Sequence, residues 1–327
     1  MLLQILILLV SLVTLVWSAD KFVFGASSLA RNFGISPMII GLTIVAMGSS
    51  APEMMIAATA SLDGNNNTAI GNAIGSNITN IALVLGITAL FQPLNVSSST
   101  VRREIPLILI VTALAYWMLS DDYFGFNEGL SLMIGFFVYI FALLFITIRA
   151  SKTRPIDDPL IIEAEQEVPD AVSKPKSLLW LVVGIIFLPM SASYLVDSSV
   201  FIAKAFGISD LVIGLTVIAV GTSLPELAAS IMSIIKREDD LALGSIIGSN
   251  IFNILAVLSL AGLIAPGEVD SDAAARDAPY MLGVTVLLFI LCFTRRAGKF
   301  CIGRLKGLLL IGAFIAYQAL LFSQIKQ

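Results

Sequence analysis

The chain has 327 residues, of which 57% are hydrophobic and 13% are charged, and its mean hydropathy is +0.96. Soluble domains carry about 25% charged residues, so this composition excludes an ordinary soluble protein and indicates an integral membrane protein. A net charge of −4 gives no reason to expect a nucleic-acid partner, and a chain without histidine lacks the commonest metal ligand and proton shuttle. The two cysteines, Cys292 and Cys301, have no spacing typical of a metal site or a disulfide.

Ten apolar segments approach the roughly 20 residues that a helix needs to cross a bilayer. They cover residues 2–19, 37–60, 69–91, 105–119, 128–148, 178–203, 211–235, 241–264, 279–294 and 305–323. The first segment has no basic start and no cleavage site followed by a soluble domain, so we interpret it as a membrane helix and not as a signal peptide. The sequence therefore predicts an all-α integral membrane protein with ten transmembrane helices.

Basic residues concentrate in the loops that follow the odd-numbered predicted helices. Fifteen lie there, namely Arg31, Arg102, Arg103, Arg149, Lys152, Arg154, Lys174, Lys176, Lys236, Arg237, Arg295, Arg296, Lys299, Arg304 and Lys306. Three lie on the opposite side, namely Lys204, Arg276 and Lys326, and Lys21 lies near the end of the first helix. Because cytoplasmic loops carry an excess of Lys and Arg, the first group of loops is predicted to be cytoplasmic and both termini extracytoplasmic.

The longest polar stretch is residues 150–177, which is rich in proline and charged residues. It separates a first five-helix unit, residues 1–149, from a second five-helix unit, residues 178–327. It is too short for a separate domain and contains no calcium-binding loop of the type D-x-[DN]-x-[DN]-G. We therefore predict a solvated cytoplasmic linker.

Two stretches of the chain repeat each other. Residues 41–80 align with residues 214–253 without a gap at a constant offset of 173, and 16 of the 40 aligned positions are identical. The shared positions include "GSSAPE" at 48–53 against "GTSLPE" at 221–226. Five spans, an odd number, separate the start of the first repeat from the start of the second. The second repeat therefore enters the membrane from the opposite side. Inverted repeats of this kind are typical of secondary transporters, whose substrate site lies near the midplane of the membrane.

Each repeat places a proline and a glutamate inside an apolar helix. Pro52 has no N–H group for the carbonyl of Gly48, four residues earlier, so the helix is predicted to kink or break. Ser49 and Ser50 precede Glu53 by four and three residues and share its helical face. The second repeat carries the same pattern in Thr222, Ser223 and Glu226. All of these side chains offer oxygen, the ligand type that hard cations prefer.

The second motif of each repeat, "GNAIGSNITN" at 71–80 and "GSIIGSNIFN" at 244–253, adds small residues and further oxygens. Its GxxxG spacing predicts a close approach between helices. Ser76 and Asn80 are four residues apart and share one helical face, as do Ser249 and Asn253. These side chains could serve only to join helices by hydrogen bonds, but their pairing with an intramembrane glutamate in both repeats favours a cation site.

The pairing of G-[ST]-S-x-P-E with G-S-N-I-x-N, once in each half with a linker between, resembles the sodium/calcium exchanger family of the cation/calcium antiporter superfamily, in its small prokaryotic form. The resemblance implies ten helices, a core of helices 2, 3, 7 and 8 around one cation site, and helices 1 and 6 that slide past this core. It also implies a ligand set of carboxylates from Glu53 and Glu226, hydroxyls from Ser49, Ser50, Ser76, Thr222, Ser223 and Ser249, amides from Asn80 and Asn253, and backbone carbonyls of Ala46 and Ala219.

The chain departs from the family pattern at two kinds of position. Ser49 stands where the family usually has threonine, which keeps the hydroxyl group. Several relatives have aspartate at one of the positions of Asn80 and Asn253, whereas this chain has asparagine at both. The predicted site therefore holds two formal negative charges, which match one Ca²⁺ but leave the number of exchanged sodium ions open.

The resemblance implies a secondary antiporter that exchanges Ca²⁺ for Na⁺ by alternating access in a prokaryotic inner membrane. It implies no cofactor beyond the transported ions and no enzymatic activity. The expected partners are Ca²⁺, Na⁺ and the lipid bilayer, with no obligate protein partner. A proton/calcium exchanger that is independent of sodium is the nearest alternative. A channel fits less well because inverted halves with a broken helix in each favour alternating access. An intramembrane serine protease would lack a histidine to activate the serine.

Overall fold

The computed structural model describes residues 1–33, 35, 37–152, 173–206, 219–293, 295–296 and 299–324. The first half of the chain is mainly helical. Its elements are α1 (Leu2–Phe33), α2 (Pro37–Ile40), a π-helical turn (Gly41–Val45), α3 (Ala46–Ser49), α4 (Ala51–Leu62), α5 (Asn66–Ile78), a π-helical turn (Thr79–Val84), α6 (Leu85–Phe91), β1 (Leu94–Asn95), α7 (Ser98–Arg102), α8 (Glu104–Leu119), β2 (Tyr123–Phe124) and α9 (Phe126–Lys152).

The second half has a similar succession of elements. They are α10 (Lys174–Ala205), α11 (Ala219–Gly221), α12 (Leu224–Ile235), α13 (Asp239–Phe252), a π-helical turn (Asn253–Leu258), α14 (Ser259–Ile264), β3 (Gly267–Glu268), a π-helical turn (Ala273–Asp277), α15 (Ala278–Phe293), β4 (Arg295–Arg296), β5 (Lys299–Ile302) and α16 (Arg304–Gln324).

The described helices have the length and composition of membrane spans. Seven helical stretches are long and apolar enough to cross a bilayer, and the bent pair Met38–Ser49 and Ala51–Leu62 adds an eighth. Two further helices, α8 with 16 residues and α12 with 12, are shorter. The predicted seventh span begins at residue 211, and residues 211–218 lie outside the described part of the chain. The helical membrane fold is therefore confirmed, whereas the count of ten helices stays a prediction.

The first helix is longer than the sequence predicts. The apolar span was expected to end at residue 19, but α1 continues through Asp20 and Lys21 to Phe33. The Asp20 carboxylate forms ion pairs with Lys21 at 3.0 Å and with Lys236 at 2.7 Å. Because these pairs neutralise the charges that mark the expected boundary, the helix does not need to end there.

The described ends of the predicted linker are helical. Residues 150–152 belong to α9, and residues 174–177 belong to α10. Residues 153–172 lie outside the described part of the chain. The division into units at 1–149, 150–177 and 178–327 therefore stays a prediction.

Short strands join loops that the sequence assigns to the same side of the membrane. Antiparallel β1 and β5 pair Leu94 with Ile302, and both strands lie in loops predicted to be cytoplasmic. Antiparallel β2 and β3 pair Tyr123 with Glu268, and both lie in loops predicted to be on the opposite side. The relative placement of these four loops agrees with the prediction, whereas the side that faces the cytoplasm is still only predicted.

The long helices α1 and α10 pack against each other in antiparallel orientation through small residues. A Cβ atom on Gly25 would collide with the backbone of Leu181, and one on Gly184 would collide with Phe22. The two helices contribute most of one hydrophobic cluster, which also includes Ile40, Val45, Ala229 and Leu241 from neighbouring elements. A second and larger cluster holds the remaining long helices together. The fold therefore has two apolar cores, one centred on α1 and α10 and one in the rest of the bundle.

The helix before the bend lies directly against α13. A Cβ atom on Gly41 would stand 2.8 Å from the carbonyl oxygen of Leu241, and one on Gly244 would stand 2.6 Å from that of Met38. One on Gly248 would stand 2.7 Å from Leu42 Cα. The predicted close approach at Gly244 and Gly248 is therefore confirmed. In the first repeat, the segment expected to face Gly71 and Gly75 is residues 211–218, which are the repeat equivalents of residues 38–45. Residues 211–218 lie outside the described part of the chain, so the close approach there stays a prediction.

We expect Gly244→Ala to destabilise the protein, because the added methyl group would meet a backbone oxygen that no side-chain motion can displace. Overpacking of this kind costs about 1–3 kcal/mol, which thermal unfolding in detergent would detect as a lower melting temperature. Gly312→Ala in α16 is the matched control, since no described atom lies within 4 Å of its new methyl group. Equal melting temperatures for the two variants would contradict the close packing.

Candidate cation site

Both repeats interrupt a helix directly before the Pro-Glu step. Ser50, between α3 and α4, has φ −87° and ψ 10°, and the two helical arms are bent by 47°. Ser223, between α11 and α12, has nearly the same conformation, with φ −94° and ψ 7°. In each repeat proline lies in the first turn of the following helix, where its missing N–H group leaves no hydrogen bond unmade. The predicted helix break is therefore confirmed.

The break places one glutamate in the first turn of α4 and the other in the first turn of α12. The side chains of Glu53 and Glu226 are 0% exposed, and they are close enough to repel each other when both are charged. Within the described part of the chain no lysine or arginine forms an ion pair with either carboxylate. The positive ends of the two helix dipoles partly favour negative charge here, but no full positive charge from the described residues balances it.

Hydroxyl groups from both repeats meet around the carboxylates. Ser50 donates a hydrogen bond to Glu226 Oε1 at 3.5 Å, and the Oγ atoms of Ser49 and Ser249 are hydrogen-bonded at 3.2 Å. Ser76 and Ser223 are buried as well. The structure therefore brings predicted ligands from the first repeat into direct contact with predicted ligands from the second.

The predicted ligands account for many of the buried polar atoms that have no hydrogen-bond partner. Among the described residues 17 buried side-chain nitrogen and oxygen atoms lack a partner. Eight of them belong to predicted ligands, namely both carboxylate oxygens of Glu53, Oε2 of Glu226, Oγ of Ser223 and both amide atoms of Asn80 and of Asn253. Buried polar groups are normally paired, so this concentration points to a ligand-binding role.

Three other predicted ligands are placed differently or are described only in part. The Ala46 carbonyl oxygen accepts hydrogen bonds from the Ser50 N–H at 3.0 Å and from the Ser49 hydroxyl at 3.3 Å, so both of its lone pairs are in use. Thr222 is half-buried and lines a cavity beside the two helix breaks. Ala219 begins α11, and only its backbone is described.

Two features near the site are not predicted by the sequence. π-helical turns begin at Thr79 and at Asn253, so each turn contains one of the two predicted amide ligands. Such turns are frequent at functional sites because they displace a side chain from regular helical spacing. In addition, Asn77 donates a hydrogen bond to the backbone carbonyl of Asn250 at 3.3 Å. The repeat alignment marks Asn77 and Asn250 as identical, but sequence identity does not distinguish a contact between helices from a cation ligand.

The arrangement offers oxygen ligands and only two formal charges. No cluster of three or more His, Cys, Asp or Glu side chains that could hold a metal occurs among the described residues. Carboxylate, hydroxyl and amide oxygens suit hard cations such as Ca²⁺, whereas structural zinc sites use Cys and His. The site can therefore bind a hard divalent cation or compensating monovalent cations.

Known proteins are similar to this chain in sequence and in fold. The model of the family described as "Sodium/calcium exchanger protein" matches residues 3–147 and 176–323. CaxA of Alkalimonas amylolytica, which is named as an antiporter, is 54% identical over 99% of this chain and 100% of its own length. Inner membrane protein YrbG of Escherichia coli is 42% identical over 98% of each chain.

A solved structure gives the same result in three dimensions. The sodium-calcium exchanger NCX_Mj, soaked with 2.5 mM Na⁺ and 0.1 mM Ca²⁺, is 31% identical, and its TM-score against this chain is 0.81. The match covers 97% of this chain and 98% of NCX_Mj. Together with the paired glutamates and the helix breaks, these similarities identify the chain as a membrane antiporter that belongs to the sodium/calcium exchanger family.

Proposed function

We propose that this chain exchanges Ca²⁺ for Na⁺ by alternating access at one central site. The observation that carries the proposal is the pair of fully buried carboxylates, Glu53 and Glu226, for which the described residues supply no counter-charge. Buried charge without compensation is costly, so an ionised pair needs bound cations, and protons are the only other source of neutrality. The choice of ions is supported by the likeness to NCX_Mj, a sodium-calcium exchanger whose structure was solved after soaking with both ions.

The proposed ligand set combines the two carboxylates with neutral oxygens from both repeats. It consists of Glu53, Glu226, Ser49, Ser50, Ser76, Thr222, Ser223, Ser249, Asn80 and Asn253, with the backbone carbonyls of Ala46 and Ala219. Unpaired buried oxygens on Glu53, Glu226, Asn80 and Asn253 support this assignment. For the Ala46 carbonyl to bind a cation, the Ser49 hydroxyl must first release it.

Electrostatics couples the ions to each other. When both glutamates are ionised, their mutual repulsion and their desolvation oppose closure of the site around an empty centre. One Ca²⁺ or two Na⁺ neutralise the two charges and make closure favourable. The two kinds of ion compete for the same carboxylates. The site therefore switches from one side of the membrane to the other with either Ca²⁺ or Na⁺ bound, and the result is exchange.

The proposed architecture has ten helices in two inverted five-helix repeats, residues 1–149 and 178–327, joined by a cytoplasmic linker at 150–177. The contact between the repeat-equivalent residues Asn77 and Asn250 supports a pseudo-twofold axis at this point. The cluster centred on α1 and α10 is distinct from the larger cluster, and this division supports sliding of the pair past the remaining helices.

The proposed location is a prokaryotic inner membrane with both termini outside. An impermeant thiol reagent should label a cysteine placed at Ser173 only after permeabilisation, in a Cys301→Ser background. Labelling in intact cells would reverse the orientation.

Calcium flux in proteoliposomes tests the function directly. We expect ⁴⁵Ca²⁺ uptake to follow an outward sodium gradient at fixed pH and voltage, because Na⁺ and Ca²⁺ share one site. Uptake that follows a proton gradient and ignores sodium would assign the chain to proton/calcium exchange, in which protons compete for the same two glutamates. Absence of any gradient-driven Ca²⁺ uptake would contradict both forms of exchange.

Removing either buried charge should abolish transport. We expect Glu53→Gln and Glu226→Gln each to lower sodium-driven Ca²⁺ flux at least about 100-fold, because loss of one charge leaves a divalent ion unbalanced in a medium of low dielectric constant. Glu268→Gln is the matched control, since Glu268 is exposed in β3 and lies outside the proposed ligand set. Normal flux in either buried variant, with unchanged detergent stability, would place the cation site elsewhere.

Asn253→Asp tests whether site charge controls monovalent binding. If the new carboxylate ionises, half-saturating Na⁺ should fall by about tenfold, equivalent to about 1.4 kcal/mol, and the Hill slope of Na⁺-driven Ca²⁺ efflux should increase. Asn127→Asp adds the same charge at an exposed position and is the control. Loss of Ca²⁺ transport at every pH would show that Asn253 acts through its amide hydrogens as a structural clamp, and would remove it from the ligand set.

A further inference from the structure

A cavity of about 140 Å³ lies between α10 and the two helix breaks. Its walls include Pro52 and Pro225, the residues directly before the two buried glutamates, and Thr222 of the proposed ligand set. Ser193 and Asp197 of α10 form part of the opposite wall. At roughly 30 Å³ per water molecule, the cavity has space for about four waters, so it can hold a partly hydrated cation beside the central site.

Asp197 is the one acidic residue of the membrane helix α10. It lies eight residues before the end of α10, about 12 Å along the helix axis, and its side chain is exposed. Among the described residues no lysine or arginine forms an ion pair with it. An ionisable side chain in a membrane span is costly in lipid and normally faces water or a partner. The cavity beside Asp197 has room for such water.

The corresponding region of α1 has the opposite electrostatic character. With the repeat offset of 173, the position equivalent to Asp197 is Phe24, and the Lys236 ammonium lies 5.4 Å from the centre of its ring. The nearby acid of α1, Asp20, is neutralised by Lys21 at 3.0 Å and Lys236 at 2.7 Å. Among the described residues, the acid of α1 is therefore paired with two lysines, whereas Asp197 of α10 has no basic partner.

We infer that Asp197 forms a cation-recruiting site in the cavity between α10 and the helix breaks, where a hydrated Ca²⁺ or Na⁺ ion binds before it reaches Thr222 and the two glutamates. The identity of the ions rests on the proposed function, whereas the negative potential in the cavity does not. One exposed carboxylate binds weakly through water and raises the local cation concentration. It increases the rate of cation entry from this side of the membrane and leaves the central site unchanged.

The rates at which charged reagents modify an introduced cysteine report the electrostatic potential in the cavity, and this measurement does not require transport. Ser193→Cys, in a Cys301→Ser background, places a thiol in the cavity next to Asp197, while the remaining Cys292 is buried. We expect a cationic methanethiosulfonate to react faster than an anionic one, and Asp197→Asn to reduce this rate ratio by about tenfold at low ionic strength. Asp121→Asn, an exposed acid in a loop, is the control and should leave the ratio unchanged. A ratio that Asp197→Asn does not change would overturn the inference.

Flux measurements then test recruitment of the transported ion. At low ionic strength Asp197→Asn should raise half-saturating Ca²⁺ about three- to tenfold on the cavity side only, with unchanged maximal rate, and Asp197→Glu should restore the wild-type value. High ionic strength should remove the difference. An equal loss of maximal rate from both sides would contradict recruitment and assign Asp197 a structural role. If wild-type protein carries no Ca²⁺, the proposed function fails, and the thiol rate ratio still decides whether Asp197 sets the potential of the cavity.

Discussion

Two fully buried carboxylates, Glu53 and Glu226, are the constraint on which the centre of this protein depends. An apolar helical bundle cannot hold both charges cheaply, and the described residues provide hydroxyl donors and helix N-termini but no ion pair. The remaining stabilisation must come from outside the protein. A site without an internal counter-charge is stabilised by a bound cation or proton, which suits the antiporter family to which the chain belongs.

The local chemistry of proline creates the geometry of the carboxylates. Proline in the first turn of α4 and of α12 allows each helix to begin inside the membrane, directly after Ser50 or Ser223 in a non-helical conformation. The glutamate follows in the first turn, so its position is fixed by the helix start. Close packing at glycine residues then determines which helix faces the glutamate. The close contact of Gly244 and Gly248 with the helix before the first break brings α13 near enough for Ser249 to bond Ser49.

The division of the apolar core has consequences for motion. The pair α1 and α10 is held together by its own cluster, with the backbones in close contact at Gly25 and Gly184. Polar contacts connect α1 to the end of α12, through Asp20 with Lys236 and through Arg31 with Glu238, whose side chains are 2.5 Å apart. Arg31 is exposed and the other three side chains are half-buried, so any motion of α1 relative to α12 would have to break these contacts.

The sequence by itself determined the features that follow from single residues and from spacing: the membrane fold, the helix breaks before Pro-Glu, the burial of both glutamates and the close approach at Gly244. Proline lacks an N–H group and a glutamate in an apolar span has few places to lie, whatever the partner helix. Only the tertiary structure decided the continuation of α1 past Asp20, the contact of Asn77 with Asn250, the hydrogen-bonded state of the Ala46 carbonyl and the cavity beside Asp197. Most of these depend on groups far apart in the chain, such as Lys236 for Asp20, and even the local bonds to the Ala46 carbonyl depend on how the helix closes at the break. Residue types and spacing do not contain that information.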